Sequence, residues 1–221
     1  MFEKDEIVKG SGEILEGMME ELEALPSLDL HELDSSGSVL IIMDMINGFT
    51  HEGPLASPRV QALIPEVTRI VADCKNRGMQ MIAFADAHDE TSPEFDVYPP
   101  HSIKGTWESQ VVSEIAGIGG YTLIEKNSTN GFHEWKFQEW FKQNKGIENW
   151  IVVGDCTDIC VYQFATTIKT YGNTFNRDYK VIVPINAVDT YDEGLHMADL
   201  YHVVFLHSLI GNGIDVVAGL K

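Results

Sequence analysis

Cys160 is the residue of this chain best suited to nucleophilic chemistry. It follows the apolar run 150–153, which predicts a buried strand. Thr157 or Asp158 is a suitable N-cap for the next helix, which we expect to end at Gly172. In the first turn of a helix, unpaired N–H groups and the positive end of the dipole favour a thiolate and could hold an oxyanion. The alternative at this point is a small buried cysteine on an ordinary helix.

A second group of reactive residues follows the apolar run 81–85. Asp86 and His88 are two positions apart, so on a strand both side chains reach the same side. His101 lies on a loop fixed by prolines and could complete a set of three ligands, with Glu94 as a candidate fourth. Two imidazoles and a carboxylate suit Zn²⁺, Fe²⁺ or Mn²⁺ and leave positions open for water or substrate. An Asp-x-His pair alone also occurs in ordinary surface loops.

Two further charged residues follow apolar runs. Asp44 comes directly after 39–43 and could act as a general base, or it could simply cap the following loop. Lys126 comes after 121–125, where a solvated loop charge is the ordinary interpretation. Near a cysteine and an aspartate, however, a lysine would lower the thiol pKa and take part in acid–base chemistry.

The elements that must position these residues alternate along the chain. Helix-length segments separate six apolar runs, which we interpret as strands: 39–43, 79–85, 121–125, 150–153, 180–184 and 202–206. This alternation predicts an α/β fold with a mostly parallel six-stranded sheet covered by helices on both faces, a Rossmann-like three-layer arrangement. In such sheets the functional site lies beyond the carboxyl ends of the strands, where the candidate residues fall.

Two helices between the runs are well marked. The first begins at Ser57-Pro58 and ends at Gly78, and its apolar positions share one face, so Cys74 is expected in the core. Those positions are Val60, Leu63, Ile64, Val67, Ile70, Val71 and Cys74. The second runs from about 133 to 144, with Phe137, Trp140 and Phe141 as its buried side.

The N-terminal segment differs from the rest of the chain. Residues 1–36 contain eleven acidic residues against two lysines, which supplies −9 of the net charge of −19. Leu15, Met18 and Leu22 recur at helical spacing, so we expect an amphipathic helix that ends before Pro26. The helix could lie on the body of the protein or on a partner subunit, which leaves a homo-oligomer open. We therefore divide the chain into an acidic helical extension, 1–37, and one catalytic domain, 38–221.

Composition limits the function further. A net charge of −19 and a pI near 4.6 exclude nucleic acid and anionic membranes as main partners. The sequence has neither a run of about 20 apolar residues nor the start of a signal peptide, so we expect a cytoplasmic protein. Three cysteines are too few for a disulfide framework, and the spacing of Cys156 and Cys160 fits neither a CxxC redox motif nor a zinc ribbon.

Taken together, the ordered motifs resemble those of the isochorismatase-like cysteine hydrolase superfamily, and within it the nicotinamidases. The similarity extends from about Ser38 to the end of the chain. The matching elements are Asp44–Phe49, Asp86–His88, Pro99–His101 followed by Gly105-Thr106, Lys126, and Gly154–Val161. Ile46 and Gly48 depart from the superfamily pattern, which has glutamine and aspartate there. This departure leaves the charged residues intact but alters the loop around Asp44.

The resemblance implies a role for each matching residue. Asp44, Lys126 and Cys160 would form a catalytic triad, and the backbone N–H groups of Cys156 and Cys160 would form the oxyanion hole. Asp86, His88 and His101 would bind the metal, with Glu94 as a less secure further ligand. Phe49 and Tyr98 would line the pocket for an aromatic ring. A cis peptide bond would fall between Asp155 and Cys156.

The activity implied is hydrolysis of a small planar amide, most directly nicotinamide, with a divalent ion as cofactor. Zinc is the first choice of metal, and iron or manganese would suit the same ligands. Three alternatives stay open: an isochorismatase that cleaves a vinyl ether, a carbamoyl amidase without the metal set, and a non-catalytic protein that binds a basic partner through its acidic extension. Five of the remaining histidines are interpreted as surface or core residues: His51, His133, His196, His202 and His207.

Overall fold

Seven strands form one sheet in the computed structural model, which describes residues 3–221. The strands are β1 (Ser38–Met43), β2 (Gln80–Asp86), β3 (Thr122–Lys126), β4 (Asn149–Asp155), β5 (Lys180–Pro184), β6 (Val188–Asp189) and β7 (Asp215–Val217). Every pairing is parallel, in the order β3-β2-β1-β4-β5-β7, and the two-residue β6 pairs with β4. Met1 and Phe2, the first residues of the predicted extension, lie outside the described residues.

Eight α-helices occur in residues 3–221. They are α1 (Lys4–Glu23), α2 (Asn47–Thr50), α3 (Pro58–Ala62), α4 (Ile64–Asn76), α5 (Ser113–Ile118), α6 (Trp135–Gln143), α7 (Cys160–Thr174) and α8 (Ala198–Gly211). Short 3-10 helices lie at Leu30–Glu32, Ser35–Gly37, Pro93–Asp96, Gly131–His133 and Ile185–Ala187. No helix in this part of the chain has the length and apolar character needed to cross a membrane.

The central strand β1 shows why helices cover both faces of the sheet. All six of its residues are buried, and alternate side chains enter two different cores. Leu40 and Ile42 pack with α4 and α5 on one face. Val39, Ile41 and Met43 pack with α6, α7 and α8 on the other. The predicted α/β sheet with helices on both faces is confirmed.

The predicted sixth strand is wrong. Residues 202–206 lie in α8, whose apolar residues are spread around the whole helix, so the run has the continuous apolar character of a buried strand. The edge position beside β5 belongs instead to β7, which is only three residues long. With the two-residue β6, the sheet therefore has seven strands rather than six.

The predicted helices are largely confirmed, with changed boundaries. The segment from Ser57 to Gly78 forms two helices, α3 and α4, and Pro65 lies in the first turn of α4, where its missing N–H is tolerated. All seven residues of the predicted apolar face are buried, including Cys74. Helix α6 starts two residues later than expected, and it buries Phe137 and Phe141 fully but Trp140 only in part.

The acidic extension lies on the body of the protein. Helix α1 ends before Pro26, as predicted, and packs against α8 with Leu22 buried. The following segment is tied to the C-terminal residues, because the amides of Leu28 and Leu30 donate to the carbonyls of Gly219 and Lys221 at 2.9 Å each. Of the two placements left open by the sequence, the structure shows the first.

Candidate active site

Four neighbouring strands deliver ionisable residues to the same edge of the sheet. Asp44 follows β1, Asp86 ends β2, Lys126 ends β3 and Asp155 ends β4. Helix α7 starts at Cys160, five residues after Asp155. All five residues are buried. Because parallel strands share one carboxyl edge, residues far apart in sequence meet here.

Gly154 allows β1 and β4 to approach closely at this edge. Its φ is +108°, and a Cβ at this position would lie 1.9 Å from the carbonyl oxygen of Met43. No other residue type fits without moving the strands. Directly after Met43, Asp44 has a φ of +53°, a left-handed conformation that non-glycine residues adopt rarely and that is more frequent at functional sites.

Lys126 links the other charged groups. Its Nζ lies 2.9 Å from Oδ2 of Asp44 and 3.6 Å from Sγ of Cys160, and it also pairs with Oδ1 of Asp86. The amide of Asp86 donates to Oδ1 of Asp44 at 3.1 Å. The structure therefore brings together the three residues of the predicted triad and joins them to a predicted metal ligand.

The electrostatics of this cluster follow from burial and pairing. Burial raises the pKa of Asp44 to about 7, helped by the negative charge of Asp86 and opposed by Lys126. Burial alone would lower the pKa of Lys126, but the charges of Asp44 and Asp86 raise it well above its ordinary value. Burial would raise the pKa of Asp86, but the cation of Lys126 and the adjacent rings of His101 and His88 hold it below its usual range. Lys126 is thus a permanent cation, and Asp44 can exchange a proton near neutral pH.

The thiolate expected from the helix terminus is not supported. Burial raises the pKa of Cys160 well above its ordinary value, and although Lys126 lowers it, the carboxylates of Asp44 and Asp86 add to the increase. Desolvation and negative neighbours outweigh the single cation, so a neutral thiol is the resting form. Chemistry at this sulfur then requires a base, and Asp44 is the nearby carboxylate, since Nζ of Lys126 contacts both Asp44 and Cys160.

The turn before α7 differs from the predicted capping. The N-cap is Ile159, without a side-chain cap, so neither Thr157 nor Asp158 caps the helix, which ends at Thr174 rather than Gly172. The peptide bond between Asp155 and Cys156 is cis, as the resemblance implied. The amides of Ile159 and Val161 both donate to the carbonyl of Cys156 at 3.1 Å, which closes the turn. Thr157 and Asp158 contact His202 and His196 instead.

The three predicted metal ligands form one buried group. Ligand atoms of Asp86, His88 and His101 all lie within 4.8 Å of one another. Nδ1 of His88 is 3.2 Å from Oδ1 of Asn127, and Nδ1 of His101 is 2.8 Å from the carbonyl of Pro99. These contacts leave Nε2 of each ring as the free nitrogen, and Nε2 of His88 is buried without a hydrogen-bond partner. Neutral imidazoles oriented in this way by a second contact are suited to bind a divalent metal ion.

Glu94 lies beside this group rather than within it. Its Oε2 is 3.6 Å from Nε2 of His88, and its Oε1 accepts a hydrogen bond from the amide of Thr129 at 2.8 Å. The carboxylate is therefore oriented towards the ligand nitrogen, but it does not belong to the compact set of three. Asn127, which orients His88, was missed by sequence reasoning, although it follows Lys126 at a strand end.

A cleft of about 530 Å³ opens onto the charged cluster and the cysteine turn. Phe49 and Tyr98, the predicted pocket residues, both line it, and their rings lie 5.7 Å and 6.1 Å from the ring of His101. Sequence reasoning missed part of its lining, namely Arg59, Thr129, Tyr191, Asp192 and Glu193. The last three follow β6, which is too short to be detected as an apolar run.

Comparison with known proteins decides the family. The family model described as an isochorismatase domain matches residues 38–209. The chain belongs to the isochorismatase family. The resemblance inferred from the motifs is therefore confirmed, and the chain is a hydrolase of this family. The matched range begins at β1, so the acidic extension lies outside it.

Three amidases are similar to this isochorismatase-family chain. It is 30% identical to Nicotinamidase 1 of Arabidopsis thaliana over 216 residues, which covers 82% of this chain and 86% of the relative. Among solved structures, the N-carbamoylsarcosine amidase of Thermoplasma acidophilum is 26% identical with a TM-score of 0.65, covering 81% of this chain and 95% of that one. The pyrazinamidase of Pyrococcus horikoshii, solved in complex with zinc, shares the fold at 21% identity and a TM-score of 0.69, covering 82% and 98%.

Proposed function

We propose that this chain is a metal-dependent nicotinamidase that converts nicotinamide and water to nicotinate and ammonia. The observation that carries the proposal is the position of Lys126, whose Nζ contacts Asp44, Cys160 and Asp86 together. This contact joins a complete base–cation–nucleophile set to the Asp-His-His group beside one cleft, which Cys160, Asp86 and His101 line. The likeness to a named nicotinamidase over most of both chains supports the same substrate.

In the first half of the reaction, Asp44 accepts the proton of Cys160, while Lys126 stabilises the charged pair. A pKa near 7 suits Asp44 to this exchange. The thiolate attacks the carboxamide carbon, and the backbone N–H groups of Cys156 and Cys160 stabilise the oxyanion that forms. Asp44 then returns the proton to the departing nitrogen. Ammonia leaves, and a thioester on Cys160 remains.

In the second half, Asp44 accepts a proton from water, and the water oxygen attacks the thioester carbon. The same two N–H groups stabilise the second oxyanion. The C–S bond breaks, the thiolate of Cys160 recovers the proton from Asp44, and the acid that forms leaves as nicotinate, with its proton taken up by the released ammonia. One water is consumed for each amide cleaved, and the protein ends in its starting protonation state.

The remaining residues of the cleft bind and orient the substrate. Asp86, His88 and His101 would hold a divalent ion, with Glu94 as a further ligand, and zinc, iron and manganese all suit these donors. When bound, the ion supplies an electrophilic anchor for the pyridine nitrogen, directly or through water. Phe49 and Tyr98 would contact the aromatic ring. Fixing both ends of the substrate places the carboxamide at the sulfur.

The test is ammonia release from nicotinamide by the purified full-length protein. We expect Cys160→Ala to lower kcat by at least about 10³-fold, because the nucleophile is lost. Cys74→Ala is the matched control, since Cys74 is equally buried but lies in the core on the other face of the sheet. It should retain turnover. A chelator should remove most activity, and added zinc, iron or manganese should restore it.

Two results would contradict the proposal. Substantial turnover by Cys160→Ala would exclude the thioester mechanism. If the metal-loaded wild type released no ammonia from nicotinamide but hydrolysed an N-carbamoyl amino acid, the fold and nucleophile would stand and the substrate would be that of a carbamoyl amidase.

A further inference from the structure

Two histidines that the proposed reaction does not use contact the turn before Cys160. Nε2 of His196 is 2.8 Å from Oδ2 of Asp158, and Nδ1 of His202 is 2.9 Å from Oγ1 of Thr157. Two consecutive residues of the turn are thus bound to α8 and to the segment that precedes it. Of the two histidines, His196 also contacts a residue that lines the cleft.

The ring of His196 is held on both faces and at both nitrogens. It stacks on the ring of Tyr191, with centroids 4.1 Å apart and planes inclined by 5°, and its other face lies 3.9 Å from the ring of Tyr201. Its Nδ1 lies 2.7 Å from the carbonyl oxygen of Tyr191, while its Nε2 binds Asp158. The position of His196 therefore fixes both the backbone and the ring of Tyr191.

Tyr191 is placed to contact the substrate. It lines the cleft together with Tyr98, Cys156 and Cys160. Its segment is otherwise exposed, since residues 192–195 lie at the surface and Leu195 is 98% exposed. Glu193 and His196 exchange backbone hydrogen bonds of 3.0 Å and 2.8 Å, and Asp192 caps the amide of Ala198 at 2.7 Å. An exposed segment that carries a wall of the pocket needs an anchor to the body, and Asp158 supplies it through His196.

We propose that His196 is a positioning residue, which fixes Tyr191 as an aromatic wall of the substrate pocket and so favours flat aromatic amides over small aliphatic ones. The proposal rests on the proposed amidase function and deepens it, because it assigns the substrate preference to a segment outside the triad and the metal group. Neither His196 nor Tyr191 contacts Asp44 or Lys126 in the hydrogen bonds and ion pairs of residues 3–221. Loss of either residue should therefore weaken binding rather than chemistry.

The first test compares steady-state kinetics with nicotinamide. His196→Ala and Tyr191→Ala should each raise KM about tenfold, equivalent to about 1.4 kcal/mol, and change kcat by less than about threefold. Tyr191→Phe keeps the ring and should behave like the wild type. His207→Gln is the matched control, since this histidine lies on α8, pairs with Glu21 at 3.2 Å and does not line the cleft. An unchanged KM in both alanine variants would overturn the proposal.

A second measurement does not depend on hydrolysis. Cys160 is alkylated in parallel with N-phenyliodoacetamide and with iodoacetamide, and its modification is followed by peptide mass spectrometry, which separates it from the other cysteines. The ratio of the first rate to the second reports whether the pocket prefers an aromatic amide. The ratio should fall about tenfold in both alanine variants and stay unchanged in Tyr191→Phe and His207→Gln. Equal ratios in all variants would overturn the proposal. If the wild type does not hydrolyse nicotinamide but the alanine variants still lower the alkylation ratio, the proposed function is refuted. The role of Tyr191 as an aromatic wall then stands.

Discussion

At the scale of single residues, Lys126 shows how burial and charge combine in this protein. It is a fully buried lysine whose pKa is raised by two carboxylates, Asp44 and Asp86. Those carboxylates lie close enough for the amide of Asp86 to donate to Asp44, and burial disfavours the charge on each. The cation is therefore a structural requirement of the cluster as well as part of the proposed chemistry.

Lys126→Met should accordingly destabilise the fold. The substitution keeps most of the side-chain volume but leaves two buried carboxylates without their cation, and removing one partner of a buried ion pair costs about 3–5 kcal/mol. Urea unfolding at pH 8 measures the free energy of unfolding. The control is Lys104→Met, because Lys104 pairs with Glu125 at 3.0 Å at an exposed position, where an ion pair contributes little. Equal effects of the two substitutions would show that the buried cluster is not held by its charge.

At the scale of elements, α8 connects the acidic extension to the cysteine turn. One part of it packs against α1, while His202 near its start contacts Thr157. Burial lowers the pKa of His202; the carboxylate of Asp189 opposes this change, and the cation of Arg59 adds to it. Asp199 and Asp158 also face the ring and raise its pKa, yet the net direction is downward. Folding therefore favours a neutral imidazole at this position.

This shift predicts a pH-dependent stability. An unfolded histidine takes up a proton near pH 6.5, and the folded His202 does so only at lower pH. The unfolded state then binds more protons, so the free energy of unfolding contributed by this group falls as the pH drops below about 6.5. In His202→Gln this loss should be absent, so the stability of the wild type relative to the variant should decrease from pH 7 to pH 5.

His133→Gln, at an exposed position, is the control and should keep the wild-type profile. Parallel profiles for wild type and His202→Gln would refute the argument.

At the scale of the whole molecule, charge is the dominant feature. The net charge is −19, and the extension carries −9 of it. The extension nevertheless folds onto the body, where Leu22 enters the core and the backbone of Leu28 and Leu30 binds the C-terminal residues. Apolar burial and backbone hydrogen bonds thus hold a strongly acidic segment against an acidic domain, while the repulsion between them opposes folding.

Screening that repulsion should stabilise the protein. Raising sodium chloride from about 0.05 M to about 0.5 M shortens the Debye length from roughly 14 Å to roughly 4 Å, so the free energy of unfolding of the wild type should increase. A triple variant of α1, Glu13→Gln, Glu16→Gln and Glu20→Gln, should show a smaller increase because it has less charge to screen. Chloride is used rather than sulfate to keep salting-out small. The same salt dependence in both proteins would show that repulsion by the extension does not limit stability.

The sequence by itself determined which residues meet at the edge of the sheet. Asp44, Asp86 and Lys126 each follow an apolar run, and parallel strands place their carboxyl ends together, so local pattern and one topological rule were sufficient. The same pattern failed for residues 202–206, because a continuous apolar run does not distinguish a buried strand from a helix that is apolar on all sides.

Tertiary structure alone decided the properties that depend on several distant segments. The pKa of Cys160 is raised by burial and by carboxylates at the ends of three strands. This increase outweighs the lower pKa that the sequence predicts from the helix N-terminus. The contact of Lys126 with Asp86 and the stacking of His196 on Tyr191 join segments through side-chain geometry that no local pattern encodes. Strand and helix signals are local, whereas desolvation and long-range charge pairing exist only once the chain has folded.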